Sequence, residues 1–269
     1  MNIKNVSKKI LVSLLIATTF VPFGLKINDA FQNSFPATFA NQTSNVVNHK
    51  NVDFVCAYNG IYVEKNIYDQ NPNTYNNKAI SQVFECANKL VNDKTGLEYN
   101  LNLPIYIVDN ESTTFLKKRD AAITYSKTDE QCIYIKNKYF FEKDTTTLAH
   151  EMVHALLCGM LKENYFDLPL WLNEGIATQA DSQNHYGRDF SSKELNKLLK
   201  SDNYPENNDE NLKYYLIHQR LIKLWIDDQG SSVIRKFINL INNGKNPVDA
   251  FSNLGGNKAI NKLKNIAVN

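Results

Sequence analysis

The sequence has little net charge and no basic cluster. Its 30 Lys and Arg residues nearly balance its 28 Asp and Glu residues, which leaves a net charge of +2. Proteins that bind nucleic acids or membrane surfaces usually concentrate positive charge, often between aromatic residues, and no such run occurs here. We therefore expect no nucleic-acid partner, and the charge balance by itself indicates no other function.

Internal repeats and low-complexity domains are also absent from the sequence. The 269 residues are 43% hydrophobic and 22% charged. This composition predicts a soluble globular protein with a sizeable core, arranged either as one domain or as two closely packed lobes.

The N-terminal 40 residues have the pattern of an export signal. Lysines precede the uncharged apolar run 10–21, which is too short to span a bilayer comfortably. Small residues predict cleavage after Ala40, with Ala30 as a second candidate, and an uncleaved anchor helix is the alternative interpretation. We expect a secreted, extracellular protein, monomeric and without stable membrane association after signal removal. Asn- and Lys-rich usage with a long signal peptide favours a Gram-positive bacterial source.

Cysteine usage leaves two interpretations open. In an exported protein, the four cysteines could form two disulfides in three possible pairings. Alternatively, they remain buried thiols, because a domain of this size needs no covalent cross-links. The residues concerned are Cys56, Cys86, Cys132 and Cys158.

Hydrophobic periodicity predicts an α+β fold. A helix is expected over 74–94, stopping at Gly96. Strands are expected over 52–63 around the turn signal Asn59-Gly60, over 104–108, and as a hairpin of 121–125 and 132–135. The chain after Pro169 is predicted to be helical over 171–180, 191–200, 211–229, 232–242, 247–254 and from 257 onward.

These elements define the predicted domain organisation. We expect a signal peptide over 1–40 and a flexible leader or short pro-segment over 41–51. An N-terminal α/β lobe with a small mixed sheet should follow over 52–165, and a helical C-terminal lobe over 166–269.

One stretch carries recognisable chemistry, Leu148-Ala-His-Glu-Met-Val-His-Ala-Leu-Leu157. His150 and His154 lie one helical turn apart, so both imidazoles can bind the same Zn²⁺. Glu151 lies between them, where its carboxylate can activate a metal-bound water. Candidate N-cap residues stand just before this helix, over 144–147.

A third ligand is expected twenty residues after His154, in the segment Trp171-Leu-Asn-Glu-Gly-Ile-Ala177. Glu174 would deliver a carboxylate from a second helix, beside a glycine that permits close approach. Two His, one Glu and an open position form a catalytic zinc site, whereas a structural site needs four closed protein ligands. The chain has no Cys-x-x-Cys pair for such a closed site.

These two motifs, in this order and spacing, resemble the gluzincin metallopeptidases, specifically their small bacterial peptidase MA-like members. The similarity covers roughly residues 75–255 and is strongest over 148–157 and 169–180. It implies a zincin-like two-lobed fold with the cleft between the lobes. It also implies zinc held by His150, His154 and Glu174, and Glu151 as general base on the zinc-bound water.

The resemblance also implies a donor for the developing oxyanion. In gluzincins with a catalytic Tyr, a glycine follows fifteen residues later, and here Tyr215 stands fifteen residues before Gly230. His218 occupies a position where a small residue is usual, so it is either an alternative donor or a core histidine. Tyr214 is a further candidate.

Polar residues around the motifs should orient the zinc histidines. Asn173 and Asp181 are the candidates, although the resembling enzymes usually place the acidic residue where this chain has Thr178. His185 is expected to be an exposed loop residue. Cys158, one turn beyond His154, is expected to pack rather than bind the ion.

The expected activity is that of a secreted zinc metalloendopeptidase acting on a peptide or protein substrate. In the resembling folds the edge strand before the zinc helix pairs with the substrate, and here that strand would be 132–136. An aminopeptidase with the same site is one alternative, although the Gly-x-Met-Glu-Asn signature is missing. A secreted binding or effector protein on a zincin scaffold is the other.

Overall fold

The computed structural model describes residues 46–99, 103–117, 120–126, 131–181, 189–201 and 208–267. The predicted signal peptide with its cleavage sites lies outside these residues, and so does His185.

A six-stranded mixed sheet forms one side of the protein. Its spatial order is β1-β2-β3-β4-β6-β5, with β3, β4 and β6 parallel to one another and the outer pairs antiparallel. The strands are β1 (Val46–His49), β2 (Val52–Tyr58), β3 (Ile61–Glu64), β4 (Ile105–Val108), β5 (Ala122–Ser126) and β6 (Gln131–Lys136). The mixed sheet of the prediction is thus confirmed.

The central strand β4 reads Ile-Tyr-Ile-Val and is buried at all four positions. A continuous apolar run is typical of a strand covered on both faces, as parallel strands usually are. Strands β2 and β3 form a hairpin around the predicted turn at Asn59-Gly60, where Gly60 has a φ of +81°. Such a positive φ is available to glycine without steric cost.

Strand β1 lies in the segment for which no regular structure was predicted. It pairs antiparallel with β2 through a turn at Lys50 and Asn51, whose φ angles are 50° and 65°. Two successive positive φ angles are typical of the tight turns that join antiparallel strands. The pairing depends on β2, so the local sequence of β1 gave little sign of it.

Helices make up the rest of the protein, and the predicted helical segments after Pro169 are all present in the described residues. The helices are α1 (Lys65–Gln70), α2 (Asn77–Thr95), α3 (Asn137–Phe140), α4 (Thr146–Leu161), α5 (Leu170–Ala177), α6 (Ser192–Leu198), α7 (Asn208–Gln229), α8 (Ser232–Asn242), α9 (Pro247–Asn253) and α10 (Gly256–Ile266). Single 3-10 turns follow α4, over Lys162–Asp167, and α5, over Thr178–Ala180. The α+β class is therefore confirmed.

Helix α4 begins within the predicted N-cap segment 144–147, but the side chain of its N-cap residue does not cap it. Its N-cap residue is Thr145, at a φ of 55°, and the Thr145 side chain accepts no capping hydrogen bond. Instead, the side chain of Glu142, four residues before the start of α4, accepts a hydrogen bond from the Thr147 backbone N–H at 2.5 Å. The Thr146 hydroxyl also donates to Glu142, at 3.3 Å. A carboxylate at this position compensates the positive end of the helix dipole.

One hydrophobic cluster connects the sheet to the C-terminal helices. It contains buried residues from Ala57 on the sheet to Leu263 on α10, and it includes most of α4 and α5. A smaller aromatic cluster covers the opposite face of the sheet, where Phe54, Tyr106 and Tyr134 are buried. The larger cluster fixes the positions of the helices that carry the candidate ligands.

The four cysteines are thiols, the second of the two interpretations. Cys132 and Cys158 are buried, whereas Cys56 and Cys86 are partly exposed. Among the described residues, no helix is both long enough and apolar enough to cross a bilayer.

Candidate metal centre

Helix α4 carries both candidate histidines and is buried along almost its whole length. Leu148, Met152 and Leu156 are fully covered by the main hydrophobic cluster. A helix that is apolar on most of its circumference is expected to be buried. His150 and His154 share the remaining face, so the polar groups of this helix are concentrated on one side.

Helix α5 delivers the third side chain and begins directly after Pro169. It packs between α4 and α7. At Gly175 a Cβ atom would lie 2.5 Å from Ile222 Cγ1 and 3.1 Å from the His218 carbonyl oxygen. Only glycine allows α5 and α7 to approach this closely at the position next to Glu174.

The three candidate ligands converge. The two Nε2 atoms of His150 and His154 are 3.0 Å apart, and each lies 3.5 Å from the same carboxylate oxygen of Glu174. Ligand atoms bound tetrahedrally at about 2.0–2.1 Å lie about 3.3 Å from one another. These separations therefore fit a single ion, and the group His150, His154 and Glu174 could hold a metal.

The electrostatics of this group also favour a cation. The converging Glu174 oxygen is buried and has no hydrogen-bond partner, a costly arrangement unless a positive charge compensates it. Burial alone would raise the pKa of Glu174, but His154 and His150 lower that pKa well below its usual range. Burial likewise opposes protonation of His150, yet Asp181 and Glu174 raise the pKa of His150 well above its ordinary value. The site thus favours positive charge between its ligands.

Each histidine has an oxygen partner on its second nitrogen, as predicted. His150 Nδ1 donates to Asp181 Oδ1 at 3.2 Å, and His154 Nδ1 donates to Asn173 Oδ1 at 2.9 Å. With the protons on Nδ1, both Nε2 lone pairs point to the metal position. The 3-10 turn over Thr178–Ala180 ends α5 early and lets Asp181 reach His150, although seven positions separate it from Glu174.

Tyr165 contacts Asn173, the hydrogen-bond partner of His154. This contact was not predicted from the sequence. Asn173 Nδ2 donates to the Tyr165 hydroxyl oxygen at 3.1 Å. This bond fixes the orientation of the Asn173 amide, so that its oxygen faces His154. Burial raises the pKa of Tyr165 far above its ordinary value, so the hydroxyl stays neutral.

Glu151 is buried beside the ligands and is held by strand β5. The Thr124 hydroxyl lies 2.7 Å from Glu151 Oε2 and 2.8 Å from the Glu151 main-chain oxygen. Glu151 is not a member of the ligand group, which agrees with the expectation that it does not bind the ion. The contact of Thr124 with Glu151 could have been predicted only with the knowledge that β5 lies beside α4.

No protein-family model, curated protein or solved structure matches this chain. Conclusions about function therefore rest on the residues of the site and their geometry. The gluzincin resemblance stays a prediction.

The predicted oxyanion donors differ in where they lie. His218 on α7 is 1% exposed, and burial lowers its pKa to about 3, with a small opposing effect of Glu174. His218 is therefore neutral near pH 7. Tyr214 is also buried, with its ring centroid 6.3 Å from that of His218. Tyr215 is partly buried one turn before His218, and its role stays a prediction.

The predicted substrate-binding strand is wrong. Strand β6 lies between β4 and β5, so its backbone is already paired on both sides. The edge strand beside α4 is β5. Sheet order depends on contacts between distant segments, and the hairpin pattern of β5 and β6 does not reveal which strand is outermost.

Cys158 packs as predicted. It is 2% exposed within the main hydrophobic cluster, and it is not part of the ligand group. Gln131 Nε2 donates to the Cys158 sulfur at 3.3 Å. A position one turn beyond His154 is too far along α4 to share the ion.

Proposed function

We propose that this protein is a secreted, monomeric zinc metalloendopeptidase with a zincin-like two-lobed fold, divided near residues 165–166. The observation that carries the proposal is the convergence of His150, His154 and Glu174 beside the buried carboxylate of Glu151. Two imidazoles, one carboxylate and a neighbouring general base form the constellation that metal-dependent hydrolysis requires.

Zinc is the ion that the donor set favours. Two neutral imidazole nitrogens and one carboxylate oxygen are typical ligands of catalytic zinc, whereas Ca²⁺ and Mg²⁺ prefer oxygen ligands. When bound, zinc would polarise the scissile carbonyl and make a water molecule a stronger nucleophile near neutral pH. Three protein ligands leave a position open for that chemistry.

Glu151 is proposed to move the protons of the reaction. Its carboxylate would accept a proton from the attacking water and then donate it to the leaving amine. Thr124 holds one oxygen of this carboxylate. The other oxygen has no hydrogen bond to any described residue, and it is the proposed proton acceptor.

The outer edge of β5, which pairs with no strand among the described residues, is the proposed binding surface for the substrate backbone. The Lys136 N–H donates to the Ala121 carbonyl oxygen at 2.9 Å. Because hydrogen-bonded pairs alternate along antiparallel strands, the backbone groups of Ala122, Thr124 and Ser126 point away from β6. An extended peptide could pair with them, and backbone pairing would accept many sequences.

Tyr215 and His218, both on α7, are the candidate donors for the oxyanion. The spacing of Tyr215 to Gly230 favours Tyr215, and His218 is the alternative. The neutral imidazole of His218 carries an N–H that can donate, and Glu174 opposes the fall of the His218 pKa that burial causes. A neutral donor aligned before the reaction would stabilise the developing negative charge.

The deciding experiment is cleavage of a random-peptide library by the purified protein, with and without a chelator and with zinc added back. We expect internal cleavage that the chelator stops and zinc restores. Glu151→Gln should keep its metal, measured by mass spectrometry of the element, and lose activity by about 100-fold or more. Glu163→Gln, at an exposed position after α4, is the matched control.

The outcomes separate the alternatives. Release of N-terminal residues alone, blocked by acetylation of the substrate, would indicate an aminopeptidase. Metal binding without any cleavage would indicate a binding or effector protein. Full peptidase activity of zinc-loaded Glu151→Gln would contradict the proposal.

A further inference from the structure

Thr124 is the only described residue whose side chain makes a hydrogen bond to the Glu151 carboxylate. Thr124 is 7% exposed, and its hydroxyl also lies 2.8 Å from the main-chain oxygen of Glu151. Two oxygens of Glu151 therefore lie within hydrogen-bond distance of the one hydroxyl of Thr124. A buried carboxylate gains a charge-assisted hydrogen bond from this contact.

The direction of the Thr124 side chain follows from the strand. Successive residues of β5 point to opposite faces of the sheet. Ile123 and Tyr125 pack against the aromatic cluster, whereas Ala122 belongs to the main hydrophobic cluster on the side of α4. Thr124 shares the face of Ala122, so the strand itself aims the hydroxyl at Glu151.

We propose that Thr124 is a positioning residue that holds one oxygen of the Glu151 carboxylate and leaves the other to accept the proton. This inference rests on the proposed function. A hydroxyl has one proton, which Thr124 donates to Oε2 at 2.7 Å. This bond holds the carboxylate in one orientation, and the second oxygen is the one proposed to accept the proton of the attacking water.

The location of Thr124 gives this contact a second consequence. Its backbone groups lie on the outer edge of β5, where the substrate is proposed to pair, while its side chain holds the base. Pairing of a substrate with the edge would hold β5 in place, and with it the Thr124 hydroxyl. The same residue would therefore connect substrate binding with the orientation of the base.

The test compares Thr124→Val, which keeps the shape of the side chain but removes the hydroxyl, with Thr124→Ser, which keeps the hydroxyl. Activity is measured on a peptide that the wild-type protein cleaves. We expect Thr124→Val to lower kcat by about 10-fold, because a misoriented base transfers the proton poorly. KM should change by less than about 2-fold, and Thr124→Ser should restore most of kcat. Equal losses of kcat in both variants would overturn the proposal.

A double-mutant cycle with Glu151→Ala shows whether Thr124 acts through Glu151. Thr124→Val should lower kcat and the melting temperature in the wild-type background. The bond from the Thr124 hydroxyl to the main-chain oxygen of residue 151 remains when Glu151 is Ala. In that background Thr124→Val should therefore lower the melting temperature less than in the wild type, and it should leave the residual rate unchanged. Equal effects in both backgrounds would overturn the proposal.

The melting-temperature cycle needs no enzymatic activity. If the wild-type protein cleaves no peptide, the peptidase assignment fails, and the cycle alone decides whether Thr124 holds Glu151. Coupling in melting temperature with an unchanged kcat would assign Thr124 a structural role only and overturn the inference.

Discussion

The two candidate ligand histidines of α4 lie on the same side of the helix but differ in what supports them. His150 lies at the more open end, with 15% of its side chain exposed, and its partner Asp181 is a carboxylate that is 24% exposed. His154 is 9% exposed and is supported by the neutral amide of Asn173, which in turn contacts Tyr165. We call each histidine with its supporting residues an arm of the site. The His150 arm contains a carboxyl group and is close to solvent, whereas the His154 arm contains an amide and lies deeper.

This difference follows the cost of burying charge. Glu151 and Glu174 already place two carboxyl groups in the interior. A third one beside His154 would have little water to solvate it, so an amide is the less costly partner there. Beside His150, the side chain of Asp181 is 24% exposed, so water can solvate this carboxyl group and its desolvation costs less. Both partners still leave the same histidine nitrogen for the metal.

The largest expected effect comes from removing the metal, which acts on both arms at once. A ligand present at about 1,000 times its dissociation constant stabilises a folded protein by about 4 kcal/mol. For a protein of this size, chelation should therefore lower the melting temperature by about 10 °C. Differential scanning calorimetry with and without chelator measures this shift. No shift in zinc-saturated protein would contradict metal binding by folded residues.

Replacing either histidine should remove most of the metal affinity, despite their different partners. His150→Ala and His154→Ala should each weaken zinc binding by roughly 100-fold or more. The free energy of zinc binding is shared by only a few protein ligands, so the loss of one ligand removes a large part of it. Competition with a chromophoric chelator gives the affinities. His49→Ala, which removes a histidine outside the ligand group, is the control. If either variant binds like wild type, that residue is not a ligand.

The supporting residues should show the difference between the arms. Asp181→Ala is expected to weaken zinc binding by about 10- to 100-fold, and Asn173→Ala by about 10-fold. The charged partner should matter more because it stabilises the positive charge that the metal induces on the imidazole. Asp249→Asn, on the exposed first turn of α9, is the control. A larger loss in Asn173→Ala than in Asp181→Ala would reverse the comparison.

Tyr165→Phe should produce the smallest change. It removes the acceptor for Asn173 Nδ2 but leaves the bond from His154 to Asn173, so zinc affinity should fall by about 3-fold. Chelator competition at constant pH measures this change. The effect should disappear in Asn173→Ala, because Tyr165 acts through Asn173. A 3-fold loss that persists in that background would contradict this order of contacts.

The ligands could be predicted from the sequence because their spacing is local. His150 and His154 share one helix, and Glu174 lies on the next one. Three residues of two types at short separations were therefore enough. Asn173 and Asp181 were also identified, since each lies near Glu174 in the chain. The end of α2 at Gly96 and the start of the helix predicted from residue 191 were predictable for the same reason. Both caps are local, since Gly96 ends α2 and the side chains of Ser191 and Glu194 form a capping box.

Long-range contacts could not be predicted in this way. Three features join segments that are far apart in the chain. They are the position of β6 inside the sheet, the contact of Thr124 with Glu151, and the approach of α7 to Gly175. Thr124 is 27 residues from Glu151, and nothing in the local pattern of β5 distinguishes it from any alternating strand residue. The cap at Glu142 was missed because it precedes the usual N-cap position.

The single hydrophobic cluster that joins the sheet to the C-terminal helices has a consequence for metal uptake. Helices α4 and α5 are parts of this cluster, so their ligand side chains are placed when the chain folds. The conformational entropy of bringing the three ligands together is therefore lost in folding and need not be lost again in binding. The candidate site is preorganised, because its three ligand atoms already lie 3.0–3.5 Å apart.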